Sequence, residues 1–301
     1  MNLPSSRITR LLVALALSTL SLLTSANTLE RVRSSHTLTL GFRPDLAPFS
    51  VVDGDQARGY AIDLCLMVAD KLKSELGLPD LQVRYQSVTV AAEVNAVSSG
   101  KVDILCTPTP PTLERRKWVS YSIPVYTAGL SVVVRNDAGE PLLNALNGQV
   151  VHDGPTWRAT VNRGLANQTY ATVEGGVTEE WIRQQMRLLG VVASLVTVTD
   201  NDEGTRLVVD GKADAFFSER MLLRSELAKQ GEASKLILLD RIFEYLPVAM
   251  MVERNDEDFR LLVDTALSEA YRSGAIERAY DKYLGGADGI LKKLFKVYAL
   301  P

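Results

Sequence analysis

Histidine and cysteine are scarce in this chain, with two of each in 301 residues. The histidines, His36 and His152, are scattered and have no ligand spacing to the cysteines, so the sequence offers no metal site. Covalent and cofactor signatures are absent as well. There is no GxSxG, no P-loop, no HExxH and no GxGxxG behind a strand, and no cofactor is expected. Blocks of lysine and arginine are also missing and the net charge is −3. That balance gives no electrostatic footprint for a nucleic-acid partner. What remains is a chain that is 46% apolar and 23% charged, long enough for two domains of ordinary size with a core in each.

Long apolar runs are missing too, apart from Leu11 to Leu23. Arg7 and Arg10 precede that run, and small residues follow it up to Ala26. It is shorter than the ~20 residues of a membrane span and has the layout of a signal peptide. The expectation is a mature chain that starts near Asn27 and is exported, with an uncleaved anchor as the lesser alternative. No lipobox cysteine follows the run, which argues against a lipid anchor. In an oxidising compartment the lone pair Cys65 and Cys106 reads as a disulfide candidate, ahead of two unrelated buried thiols. Such a bridge would stabilise the fold by about 4 kcal/mol in the chain-entropy account.

Periodicity organises the rest. Thr37 to Phe42 reads as a strand, Asp53 to Arg58 as a hairpin tip, and Tyr60 to Leu76 as an amphipathic helix ended by Gly77 and Pro79. A strand at Leu81 to Tyr85, a helix near Val90 to Ser98 and a strand at Val102 to Cys106 follow. Gly129 to Arg135 is a further strand, and the polar, turn-prone NDAGEP after it marks a boundary. A second alternation then runs through a strand at Gln149 to His152, a helix at Thr178 to Leu188 and a strand at Ala193 to Thr199. It continues with a helix at Glu203 to Asp210 and a strand at Ala213 to Ser218. Leu236 to Leu239, a strand at Pro247 to Val252, a helix at Asp256 to Arg272 and a further amphipathic helix beyond Gly274 complete the pattern. Strands alternating with helices predict an α/β protein with a parallel-type sheet. Two such units crossed more than once by the chain predict a ligand cleft at their strand ends.

The segment KVDILCTPTPPTLERRKW carries the sharpest chemistry. It places the hydroxyls of Thr107, Thr109 and Thr112 beside a strand end, stiffens the loop with prolines, and follows it with Arg115. A guanidinium there can grip a carboxylate by two parallel hydrogen bonds. Arg116 and Lys117 read as a solvated helix start. In ADAFFSE, Asp214 and Glu219 flank a strand, and a carboxylate just beyond the strand's C-terminal end could receive an ammonium group. Read alone, they are acids that cap the helix that follows.

Taken together, GFRPDLAPFS, GYAIDLCLMVADKL, GKVDILCTPTPPTLERRKWVSYSIP, DGKADAFFSERMLL, RSGAIERAYDKYLGG and LKKLFKVYALP carry a resemblance. The chain resembles the periplasmic solute-binding proteins of polar amino-acid ABC transporters, the bacterial extracellular solute-binding proteins of family 3, close to their glutamate/aspartate-binding branch. The resemblance implies a two-lobed type II periplasmic-binding fold that closes on one ligand and hands it to an inner-membrane permease, working as a monomer without catalysis. Its expected divisions are a signal peptide at 1–26, a first lobe at 27–135 with a return at 246–284, a second lobe at 136–245, and a tail at 285–301. Arg115 matches the arginine that grips the ligand's α-carboxylate, and Glu219 the acid that receives its ammonium. Arg43 matches an arginine that reaches the ligand's side chain, and Phe49 and Tyr60 fit the walls around it. Cys65 and Cys106 match positions that look disulfide-linked in this branch.

Three departures accompany the resemblance. Pro108 and Pro110 stand in the strand-end loop, and proline has no N–H to offer a carboxylate; Thr109 or Thr112 is expected to replace the missing contact. Glu93 stands where the branch has a second specificity arginine, so it either pairs with Arg43 or faces a cationic ligand group. In a shortened loop from His152 to Thr156, only Thr156 matches the second lobe's usual pair of threonines. Two other readings share the scaffold. One is a cyclohexadienyl-dehydratase-like enzyme with Glu93 or Glu219 as the acid, and the other is a sensory binding protein.

Overall fold

The computed structural model describes residues 27–149, 164–230 and 235–301. The expected signal peptide at 1–26, the strand expected from Gln149 to His152 beyond its first residue, and the loop with Thr156 lie outside these residues.

The chain opens with helix α1 (Thr28–Ser35), strand β1 (Thr37–Phe42) and a small meander of β2 (Asp45–Leu46), β3 (Ser50–Asp53) and β4 (Gln56–Arg58). Helix α2 (Tyr60–Leu76) and strand β5 (Gln82–Ser87) follow, and a 3-10 turn (Val90–Ala92) leads into α3 (Glu93–Ser98). Then come β6 (Ile104–Thr109), a second 3-10 turn (Arg115–Lys117), β7 (Val119–Tyr121), β8 (Tyr126–Arg135) and α4 (Glu140–Asn147). The second alternation comprises β9 (Thr169–Val173), α5 (Val177–Leu189), β10 (Ser194–Val198), α6 (Asn201–Val209), β11 (Ala215–Glu219) and α7 (Arg220–Gln230). Strands β12 (Leu236–Leu238) and β13 (Glu244–Glu253) return the chain, and α8 (Glu257–Arg272), α9 (Ala275–Leu284) and α10 (Gly289–Tyr298) close it.

One ten-stranded sheet runs through the molecule in the order β10-β9-β11-β8-β13-β6-β1-β5, with β12 paired to β8 and β7 to β13. Its two ends are parallel, as the alternation predicts: β5, β1 and β6 at one, β10, β9 and β11 at the other. The middle departs from the parallel pattern, because β8 and β13 pair antiparallel with each other and with their neighbours. These two strands have ten residues each and serve both halves. Tyr126 and Ala128 pack in the core that holds Leu64, Phe259 and Tyr280, whereas Leu130, Val132 and Val134 pack with Tyr170 and Phe217. Smaller apolar clusters around Leu105 with Met251, and around Phe216 with Leu223, add two further cores.

Local signals account for most boundaries. Gly77 closes α2 in the left-handed region at φ 64°, and its N–H donates to the Lys73 carbonyl, which leaves Leu64, Cys65, Val68 and Leu72 fully buried on one helix face. Gly59 sits at φ 135°, where a Cβ would stand 2.4 Å from the Phe49 carbonyl oxygen. Only glycine lets the chain pass there, so that the Tyr60 and Ala61 N–H groups can donate to the Pro48 and Phe49 carbonyls and cap α2. Strand β6 continues past Cys106 to Thr109. Pro108 is tolerated within it because the register against β13 is irregular between Ala249 and Met251, leaving no N–H required at that position. Cys65 on α2 is bridged to Cys106 on β6, a separation of 41 residues. Helix α10, expected only as a tail, is capped by Asp288 and packs Phe295 against Tyr271 and Tyr280.

Candidate functional site

A cavity of about 170 Å³ lies where the strand ends of the two halves meet. From one side it is lined by Arg43, Phe49, Val90, Glu93, Thr107, Thr109 and Arg115, and from the other by Gly176, Thr178, Asn201, Ser218 and Glu219. It is smaller than the roughly 300–1,000 Å³ of a site for a drug-sized ligand, which limits it to a small molecule. The halves come close beside it, since a Cβ added at Gly175 would stand 3.9 Å from Cγ1 of Val90.

Arg43 follows the last residue of β1. Its backbone N–H donates to the Thr107 hydroxyl at 3.3 Å, and its carbonyl accepts from the Ser50 hydroxyl at 2.7 Å. These contacts hold a buried guanidinium that donates to Asp45 through both Nε (3.0 Å) and Nη2 (2.6 Å), a bidentate pairing that largely neutralises its charge. Glu93, 4% exposed, opens α3 beside it, with Oε1 4.0 Å from Nη1 of Arg43. That separation is an ion pair without a hydrogen bond. Burial pushes the Glu93 carboxyl up to about 7, against the downward pull of Arg115 and Arg43, while Asp45 adds to the rise.

Arg115 starts the 3-10 turn after the proline loop. Its N–H donates to the Thr112 hydroxyl at 3.1 Å, so Thr112 orients the turn that carries the guanidinium. Thr112 itself lines a neighbouring cleft with Pro110, Pro111 and Thr178, and does not line the main cavity. The Thr109 hydroxyl is turned back to donate to the Thr107 carbonyl at 3.1 Å.

Glu219 ends β11. Its Oε2 accepts from the N–H groups of Met221 (2.7 Å) and Leu222 (3.0 Å), which caps α7, and its Oε1 accepts from the Tyr126 hydroxyl at 2.9 Å. A contact from the Gly129 N–H at 3.5 Å is marginal. A carboxylate offers about four acceptor directions, so three are well filled and the fourth is met only by this long contact. Protein surrounds the side chain densely although it keeps an opening to the cavity, and this burial pushes its carboxyl up to about 7 against the hydrogen bonds that favour ionisation. Capping and cavity lining, alternatives in the sequence, are therefore combined in one residue. Asp214 lies elsewhere and accepts from the Thr169 N–H at 2.7 Å.

Seven of the ten expected residues thus meet at one cavity: Arg43, Phe49, Glu93, Thr107, Thr109, Arg115 and Glu219. Tyr60 does not reach it. The ring is fully buried behind Phe49, with centroids 6.3 Å apart, and its hydroxyl donates to the Val125 carbonyl at 2.6 Å. Thr156 lies outside the described residues.

Other lining residues were not singled out from the sequence. Tyr126 borders the cavity between Phe49 and Glu219. Asn201 starts α6 after β10 and is buried, with Oδ1 accepting from the Ser218 hydroxyl at 2.7 Å. Gly176, Val177 and Thr178 bring the amino end of α5 to the wall. Applying the strand-end rule to β9 and β10 finds these positions, because each strand is followed directly by a helix start.

Three comparisons with known proteins bear on this geometry. Residues 38–286 match the family model described as bacterial extracellular solute-binding proteins, family 3. The L-glutamate/L-aspartate-binding protein of Pseudomonas aeruginosa is 28% identical over 258 residues, covering 85% of this chain and 79% of that protein. Among solved structures, the cysteine-binding protein from Campylobacter jejuni superposes with a TM-score of 0.69 at 19% identity, covering 89% of this chain and 97% of that one. The ancestral amino acid-binding protein AncCDT-1, a precursor of cyclohexadienyl dehydratase, does so with a TM-score of 0.67 at 24% identity, covering 86% and 99%. The architecture common to these structures is the two-lobed type II periplasmic-binding fold.

Proposed function

The chain belongs to the bacterial extracellular solute-binding proteins, family 3, and from that premise we propose that it captures one small polar amino acid and delivers it to an inner-membrane ABC permease. The observation that carries the ligand class is the pairing, in one small cavity, of a guanidinium on one wall with an incompletely saturated carboxylate on the other, Arg115 and Glu219. An α-amino acid presents the complementary pair. Its carboxylate suits the planar fork of Arg115, and its ammonium suits the weakly filled acceptor direction of Glu219. Pro108 and Pro110 offer no N–H to that carboxylate, and the amino end of α5 supplies partial positive charge on the opposite wall.

Hinge closure follows from the strand plan in this reading. Strands β8 and β13 serve both halves, so small backbone rotations there open the cleft and a ligand that bridges the walls draws it shut. The closed form is what a permease recognises. We place the protein in the periplasm, exported by residues 1–26 and acting as a monomer.

The test is a thermal-shift screen of residues 27–301, unfolded and refolded to strip any retained ligand, against the common amino acids. A ligand at a hundred times its Kd should stabilise the folded state by about 2.7 kcal/mol. A shift with an amino acid that disappears in Arg115→Ala supports the reading, and no shift with any amino acid overturns it. A dehydratase reading draws on the two cavity carboxyls held near 7, Glu93 and Glu219, which suits proton transfer at neutral pH. Release of aromatic product from prephenate or arogenate would establish it in place of transport.

A further inference from the structure

Glu93 stands apart in the cavity wall. Its carboxylate is buried and lines the cavity, yet among the described residues it accepts no hydrogen bond. Arg43, whose Nη1 lies 4.0 Å away, already gives two hydrogen bonds to Asp45. Glu219, by contrast, accepts three good bonds. The Glu93 carboxylate faces the cavity and, among the described residues, no protein donor, so a group that enters the cavity can supply the hydrogen bonds it lacks.

The charges of the cavity say which ligand. An amino acid's carboxylate neutralises Arg115 and its ammonium neutralises Glu219, and Arg43 is neutralised by Asp45. Glu93, once ionised, then remains as a single unbalanced negative charge, attracted by Arg115 and Arg43 and opposed by Asp45. A ligand with an acidic side chain would bring a second negative charge into a space that already lacks a donor. A side chain ending in a cation would close both the charge balance and the open hydrogen bonds.

Resting on the amino-acid reading above, we propose that the ligand is an amino acid with a cationic side chain, an ammonium or guanidinium, which Glu93 receives while Arg115 and Glu219 hold the α-groups. A cavity of about 170 Å³ sets the scale of one small ligand. Arg43 then has a role different from gripping the ligand. Held by Asp45, it backs Glu93 at 4.0 Å and keeps its carboxylate ionised enough to accept.

Calorimetric titration of refolded residues 27–301 at pH 8 with arginine, lysine, ornithine, glutamine, glutamate and aspartate tests this. At least one cationic amino acid should bind tenfold or more tightly than glutamine, glutamate and aspartate. Glu93→Gln should lose at least tenfold for that ligand while keeping its affinity for glutamine within about threefold, which also reports that the variant is folded. In the wild type, affinity for the cation should fall below pH 7 as Glu93 takes up a proton, with the glutamine titration as control. The proposal is overturned if no cationic amino acid exceeds the others by tenfold, or if a folded Glu93→Gln keeps the wild-type preference. Should Glu93→Gln fail to fold, the wild-type ranking alone decides. Failure of every amino acid to bind would instead overturn the parent reading.

Discussion

Burying Glu93 in an incompletely paired state has a measurable cost in the ligand-free protein. The carboxyl rises from an ordinary 4.5 to about 7, and each unit is worth 1.36 kcal/mol, so the native state is penalised by about 3 kcal/mol once the group is ionised. The sign follows from proton binding. Between those two values the folded chain holds a proton that the unfolded chain has released, so stability is full below 4.5 and is lost as pH rises through about 7. Most of the loss falls between pH 5 and pH 8. Glu219 rises to about 7 as well, so the wild type alone does not isolate the effect, but comparison with Glu93→Gln does. Urea unfolding of refolded residues 27–301, followed by tryptophan fluorescence at half-unit steps of pH, should show the wild-type midpoint falling relative to the variant by roughly 1 M between pH 5 and pH 8, for a slope of roughly 3 kcal/mol/M. Parallel midpoints for the two proteins across that range would refute the reasoning, and so would a wild-type curve that climbs relative to the variant.

Other expectations concern the scaffold. Replacing both Cys65 and Cys106 by serine should lower the unfolding free energy by about 4 kcal/mol in non-reducing buffer, because the bridge closes a separation of 41 residues; dithiothreitol should then affect the wild type only. Gly59→Ala should cost about 3 kcal/mol, since the side chain meets the Phe49 carbonyl and the backbone sits at φ 135°, whereas Gly54→Ala, with open space around it at φ 60°, should cost about 1 kcal/mol; thermal melts compare the two. Asp256→Ala should lose about 2 kcal/mol, because Asp256 caps α8 at the Phe259 N–H (3.2 Å) and also accepts from the Thr28 N–H at 2.6 Å. In that variant, hydrogen exchange should quicken in both α1 and the first turn of α8.

Much of the first half was legible because its signals are local. The apolar alternation of Thr37 to Phe42 and the glycine stop at Gly77 mark element ends without reference to anything distant. Arg115 could be placed because a strand, a stiff loop and a cation follow one another directly. In the second half the elements from Thr178 to Ser218 are legible too, whereas strand β9 escapes for a physical reason. Strand β9 is buried in its centre yet carries Thr172, whose hydroxyl is hidden by donating to the Phe217 carbonyl, and such a threonine looks like surface in a hydropathy reading. Asn201 looks like a helix start of no special interest until its distant partner Ser218 is seen to share the same wall. The capping and cavity-lining parts of Glu219 could not be told apart in one dimension, because both need an acid at that place. The antiparallel middle of the sheet was hidden as well, since which strands become neighbours is decided by residues more than a hundred positions apart, as in the pairing of Glu244 with Leu130.

The place of β13 sets an order on assembly. This strand lies between β6 and β8 in the sheet, and α8 and α9, which follow it, supply Phe259, Val263, Ile276 and Tyr280 to the core around α2. A chain that emerges from its amino end therefore presents β1, β5 and β6, with Cys65 and Cys106 already available to be joined, long before the strand that must sit beside β6 exists. Until residue 253 or so has been delivered, the growing protein carries an unpaired sheet edge and an uncovered helix face, which are the surfaces that attract other partly made chains. The two halves cannot be completed one after the other as separate globules. The last fifth of the sequence is needed to finish what the first two fifths begin, so an early stop anywhere in α8 leaves an incomplete first half as well as a missing end.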